Sequence, residues 1–148
     1  MDDPVKVYLN SVLECHLEIR RVRRKLDALE SRAMNVTSQL TGMPRGGNSD
    51  RDAVLAALAD ATSEYYKRLA AAEKRELEVT EFIDSIPDQT HRIILRLRYL
   101  DRKRWADILP ILRKAGLCGE ERWMYKLHGR ALASAREKYK EMHPDDTN

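Results

Sequence analysis

Apolar side chains return every three or four residues along the first forty positions: Val5, Leu9, Val12, Ile19, Val22, Leu26, Leu29, Ala33, Val36 and Leu40, with His16 holding one place in the series. Because an α-helix turns once every 3.6 residues, that spacing keeps one face apolar. It predicts a single helix over about 4–40, roughly 35 residues and about 50 Å long. Pro4 suits the first turn, where a backbone N–H has no partner to lose. The pattern then breaks. Thr41–Asp50 reads TGMPRGGNSD, with Pro44 and three glycines, and predicts a loop over 41–49. Ser49 or Asp50 is expected to cap the next helix.

A second stripe of the same period runs through Val54, Leu58, Ala61, Tyr65, Leu69, Ala72, Glu76, Val79, Ile83 and Ile86, predicting a helix over about 50–85. Two long helices joined by a short loop fold back as an antiparallel hairpin. Such a hairpin has a thin core, so packing on the rest of the chain, or self-association into a homodimer through the hairpin, is expected to complete it. The adjacent Tyr65 and Tyr66 are expected to seal the helix seam, though such rings can also stack on a base. Glu73, Glu76, Glu78 and Glu81 fall on an exposed face, without the ligand set of a cation site.

Ile86-Pro87-Asp88 ends the hairpin, since a proline disfavours helix at the residue before it. A shorter helix over about Gln89–Leu100 turns Ile93, Ile94, Leu97 and Leu100 inward. A third begins near Trp105 and carries Ile108, Leu109, Leu112 and Ala115, with Pro110 expected to kink it or end its first turn. Gly116 and Gly119 bracket a turn. The last helix runs over about 120–141, with Met124, Leu127, Ala131, Ala135 and one of Trp123 or Tyr139 on the core side. Its other side shows Arg122, Tyr125, Lys126, Gly129 and Arg130. Three helices with a glycine-bearing turn before the last have the sequence form of a helix-turn-helix. The expected fold is therefore all-α: a hairpin over 1–85, a helix-turn-helix unit over 86–142, and a flexible tail over 143–148.

Charge sharpens this picture. Between Asp88 and Lys140 there are fourteen basic and six acidic residues, whereas Thr41–Ile86 has six basic and nine acidic. A basic module beside a mildly acidic one points to a polyanion as partner of the former. The basic run Ile19–Leu26 instead reads as a solvated helix face, because its charges fall outside the apolar stripe. No apolar run approaches the length of a membrane span. The acidic start, MDDPVKVYLN, lacks a hydrophobic signal core. Two distant cysteines, Cys15 and Cys118, indicate no disulfide framework, and a reducing cytoplasm is the expected compartment.

A helix fits the major groove of DNA and its first turns reach base edges. Arginine and lysine pair with guanine or neutralise phosphates. The candidate DNA-contacting residues are therefore Arg102, Lys103 and Arg104 in the basic link, and Arg122, Tyr125, Lys126 and Arg130 on the last helix. Glu120 and Glu121 can accept from cytosine, or can simply favour the positive end of the helix. His128 can reach a phosphate or sit partly buried. Trp105 and Trp123 are expected in the core, and Gly129 is expected to permit close packing.

At these residues a family resemblance enters. RLRYLD at Arg96–Asp101, the helix led by Trp105, and LHGRAL at Leu127–Leu132 resemble region 4 of sigma-70 factors. The chain resembles more closely the sigma-like phage regulators of the ArpU type and their phage relatives, in which a long helical N-terminus leads into such a stretch. The match covers Ile86 to about Ala133, and the hairpin agrees in layout. Compared with these relatives, the chain is about five residues longer between Trp105 and His128, and Gly129 adds a residue relative to sigma factors. The resemblance implies a phage or prophage transcription regulator that binds double-stranded promoter DNA through its last helix, with RNA polymerase as a further partner.

Enzymatic readings find little support. No phosphate-cradling glycine loop and no GxSxG is present, and His16, His91, His128 and His143 lack metal-ligand spacing with the cysteines. The expectation is a protein that is not an enzyme and needs no cofactor. Two other readings stay open: a packaging factor similar to a small terminase subunit, and a helical adaptor that binds RNA polymerase without reading DNA.

Overall fold

The computed structural model describes residues 3–40 and 48–147, and the fold is all-α. Helices α1 (Pro4–Leu40) and α2 (Asn48–Asp84) are followed by α3 (Gln89–Leu95), a π turn (Arg96–Leu100), α4 (Trp105–Lys114), α5 (Glu121–Met142) and a 3-10 turn (Pro144–Thr147). Among the described residues there is no strand. Most of the expected loop, 41–47, lies outside the described residues. α2 begins at Asn48, so Ser49 and Asp50 lie within the helix and not at the position before it. Asp50 instead lies in the first turn, where the positive end of the helix dipole favours a carboxylate.

The chain forms two compact units, one of Met1–Glu14 with Lys74–Asn148, the other of Cys15–Glu73. In the second, α1 and α2 run antiparallel. Leu26 and Leu29 pack with Ala57, Leu58, Ala61 and Tyr65. Arg21 and Lys25 both approach Glu64, at 3.5 and 3.6 Å, and Arg68 approaches Glu18 at 3.7 Å. Tyr65 joins the seam as expected, but Tyr66 is 63% exposed and seals nothing. Leu17 and Leu55 are also exposed. This unit thus buries one apolar stripe and leaves other apolar side chains in solvent.

The first unit has a single larger core. Val5, Leu9 and Val12 of α1 and Val79, Phe82 and Ile83 of α2 meet Ile94, Leu95, Ile108, Leu112, Met124 and Leu132 there. Each such aliphatic or aromatic side chain removed from water contributes about 1.5–3 kcal/mol. Asp88 caps α3, its Oδ1 accepting from the backbone N–H of Thr90 (2.8 Å) and His91 (3.1 Å). Those bonds, His91 first, hold its carboxyl below the usual range.

The expected helix over Gln89–Leu100 is not regular. Its second half is a π turn, in which the Asp101 N–H reaches five residues back to the Arg96 carbonyl at 2.9 Å. The wider turn rotates the side chains along it. Leu97 and Leu100, expected inward, are half-buried and pack against the core as Ile93 does, and Leu95 and Tyr99 join the core itself. Pro110 does not end the first turn, because α4 runs from Trp105 to Lys114 with the proline inside it. The helix stops after Lys114, so Ala115, expected within it, is its exposed C-cap. Gly116, at φ 73°, supplies the left-handed step, with Gly116 N–H to the Arg113 carbonyl (3.0 Å) and Leu117 N–H to that of Leu112 (2.9 Å). This is a Schellman closure, and glycine is the residue that enters it without a Cβ penalty. After α5, Pro144–Thr147 forms a 3-10 turn where a flexible tail was expected.

Candidate nucleic-acid interface

The buried line of α5 is Met124, Ala131, Leu132 and Ala135, with Leu127 and Tyr139 half-buried beside it. Steps of seven and four fix that line on one side of the helix. Arg122, Lys126 and Arg130 therefore fall on the opposite side, and all three are exposed. No carboxylate pairs with any of them among the described residues, whereas Arg136 pairs with Asp3 (2.8 Å) and Lys138 with Glu141 (3.3 Å). Gly129 lies on the same open face. A Cβ there would meet nothing within 4 Å, so the expected close packing against another helix of this chain does not occur. Glycine costs a helix about 1 kcal/mol relative to alanine, and no contact within the described chain offsets it.

Trp123 departs from expectation, being 50% exposed. It precedes Met124 by one residue, which turns it about 100° off the buried line. The Lys126 ammonium lies over its ring at 4.5 Å. Trp123, Lys126 and Arg130 face Leu117, Cys118 and Gly119 across a shallow groove of about 240 Å³. The turn itself is braced, since the Gly119 carbonyl accepts from Arg113 Nε (2.8 Å) and the Cys118 thiol donates to the Glu120 carbonyl (3.2 Å).

Tyr125 is exposed on the other flank. Its ring meets the edge of Trp105 at 5.4 Å and its hydroxyl donates to Glu121 Oε1 at 3.2 Å. Partial desolvation, then the bond to that carboxylate, raises its pKa, so the phenol remains a donor at neutral pH. Glu121 itself occupies the first turn of α5, and the side chain of the N-cap residue Glu120 makes no capping bond.

The basic link is held rather than loose. Arg102 adopts φ 55°, a region that costs a side chain roughly 1 kcal/mol. Lys103 donates its N–H to the Leu97 carbonyl (3.0 Å), and its own carbonyl accepts from Arg98 (3.1 Å). Arg104 is the N-cap residue of α4 and pairs with Asp107 at 3.2 Å. Trp105 joins this link to Tyr125. No hydrogen bond or ring contact joins Arg102, Lys103 or Arg104 to Arg122, Lys126 or Arg130 among the described residues. The seven candidate residues thus form two groups: the link with Tyr125, and the open face of α5.

Three residues were missed by sequence reasoning. Arg98 lies over the Trp105 ring at 4.6 Å, and with Lys6 and Asn10 of α1 it lines a cleft of about 290 Å³ beside Tyr125. Nothing in the apolar pattern marks Lys6 or Asn10, because both are polar positions on a helix read only for its buried face. His128 closes the inner wall. Its Nε2 sits 2.9 Å from the Tyr99 hydroxyl, and its ring meets Trp105 at 4.7 Å. Desolvation, followed by the charges of Lys6 and Arg98, lowers its pKa to about 4, so the imidazole is neutral at physiological pH.

Among the described residues no group of His, Cys, Asp and Glu is arranged to hold a metal ion, and no helix is long and apolar enough to cross a membrane. Set against known protein families, curated proteins and solved structures, the chain finds no match.

Proposed function

We propose that the protein is a sequence-specific DNA-binding transcription regulator of phage or prophage type, with α5 as the recognition helix in the major groove. The observation that carries this reading is the open face of α5. Arg122, Lys126 and Arg130 are exposed there, have no carboxylate partner among the described residues, and flank a glycine with open space above it. Unpaired cations are available to guanine edges and phosphates, whereas ion-paired ones must first give up a partner. The link Arg102–Arg104, braced by the π turn, adds phosphate contacts. RNA polymerase is the further partner implied by the resemblance to sigma-70 region 4. Selection of bound sequences from a random duplex library, across a salt series, tests the proposal. An enriched motif is expected, with binding that weakens as salt rises and falls on Arg122→Ala or Lys126→Ala. Binding without a motif would favour the packaging-factor alternative. No binding even at low salt would leave the adaptor.

Self-association through the helical hairpin is a second part of this reading. It is supported by Leu17, Leu55 and Tyr66, which are large, apolar and exposed on helices whose other face is already buried. Light scattering tests it. A dimer is expected, and Tyr66→Glu is expected to yield monomer; a wild-type chain that is monomeric at high concentration rules the dimer out.

A further inference from the structure

Beside Tyr125, side chains from four parts of the fold converge on one cleft: Lys6 and Asn10 from α1, Arg98 and Tyr99 from the π turn, Trp105 from α4, and Tyr125 and His128 from α5. Two are full cations, and no carboxylate is among the lining residues. The neighbouring acids are engaged elsewhere. Asp3 accepts from Arg136 (2.8 Å) and from the Val5 N–H (3.1 Å), and Glu121 meets the rim only through the Tyr125 hydroxyl. Two like charges facing one cleft repel each other and favour an anion between them.

The wall made by Arg98, Tyr99 and His128 is fixed in place. Arg98 is held from two sides, by the Lys103 carbonyl through Nη1 (3.1 Å) and by the Trp105 ring (4.6 Å). A guanidinium has five N–H donors, so that single bond leaves others for a ligand. Tyr99 and His128 hold one another by their hydrogen bond and by stacking at 5.8 Å. A guanidinium held from two sides binds an oxyanion with little ordering cost of its own.

We propose that this cleft is a phosphate-binding site, with Lys6 and Arg98 as charged ligands and Asn10 as a neutral donor. At about 290 Å³ the cleft has room for a phosphate and the sugar or other group that carries it. The phosphate has two possible sources, the backbone of a DNA duplex lying along α5 or a small phosphate ester. Only the first rests on the DNA-binding reading above. It would extend the footprint from α5 to the start of α1.

Lys6 is exposed and its removal leaves the core intact, so Lys6→Ala is the test variant, used in the full chain. Inorganic phosphate is titrated while NMR follows the Trp105 indole N–H and the His128 ring protons. Saturable shifts at both, lost in Lys6→Ala, are expected. Shifts that persist unchanged in the variant, or no shifts at all, overturn the site. In parallel, duplex binding is measured against salt. Removing one phosphate contact lowers the slope of log K against log salt by about one. Duplex binding with the slope unchanged in Lys6→Ala overturns the backbone role while leaving the regulator reading intact. Phosphate-dependent shifts without any duplex binding overturn the regulator reading and keep the cleft as a site for a small phosphate ester.

Discussion

His128 shows how one side chain can be misplaced by its neighbours in the sequence. It lies between Lys126 and Arg130 on a basic helix, and so reads as a possible phosphate contact. One hundred degrees per residue puts it on the inner side instead, against Tyr99 and Trp105. The consequence is a pH dependence. The folded pKa of about 4 lies below the unfolded value of about 6.5, so as pH falls the unfolded chain takes up the proton first. Stability is therefore level above about pH 6.5 and declines from there towards pH 4. For a ring that keeps partial access to solvent, the loss is on the order of 1–2 kcal/mol after screening. Urea unfolding at pH 7 and pH 4.5 measures it, and His128→Gln is expected to remove much of the decline. A decline equally steep in the variant would place its origin in the carboxylates. Trp123 is the opposite case. A large aromatic is expected inside on type alone, and a single position decides that it stays out.

At the scale of elements, the long periodic helices were legible and the short ones less so. The stripe of α1 has eleven positions to agree with one another, and every one whose side chain is described is buried or half-buried. The helix over Gln89–Leu100 has only twelve residues, too few to reveal that its spacing widens midway. Hydrogen-bond register, not side-chain type, makes the π turn, and register leaves little mark in an apolar pattern. Pro110 likewise leaves α4 continuous where it was one candidate for the end of the first turn. A proline removes one backbone bond and crowds the preceding turn, but the burial of Ile108 and Leu112 on either side of it holds the helix together. Pro110 is itself exposed, so replacing it leaves the core packing as it is. Pro110→Ala is accordingly expected to raise stability by on the order of 1–3 kcal/mol by restoring the missing bond. Thermal unfolding of the variant reads this directly. A lowered melting temperature would mean that proline gives α4 something alanine does not.

For the whole molecule, the all-α class followed from composition and period alone, because few residues here resist helix and two long stripes demand it. The candidate interface was legible only in part. The open face of α5 came through because its cations alternate with a strong core line. The cleft did not, since Lys6, Arg98 and Trp105 are far apart in the chain and only the fold joins them. Clefts of this kind are built from polar positions, the ones a search for buried periodicity discards. The division of the chain was also hidden. The first turns of α1 and the last of α2 share a core with α3, α4 and α5, while the middle of each packs on the other. A sequence stripe that continues without a break cannot announce that its partner has changed.

The π turn at Arg96–Leu100 amounts to one surplus residue carried in the last turn of a helix. Its vulnerability lies in counting rather than chemistry. Substitutions there keep the count, and conservative ones should be absorbed. A deletion of one residue would let the helix close into a regular turn and swing Arg98 about 100° from Trp105. Arg102 would then no longer fall where the backbone bends left-handed. Tolerance to change along this stretch is thus set by length more than by identity, and a library of single deletions across 89–104 should find its sharpest loss of folded protein there.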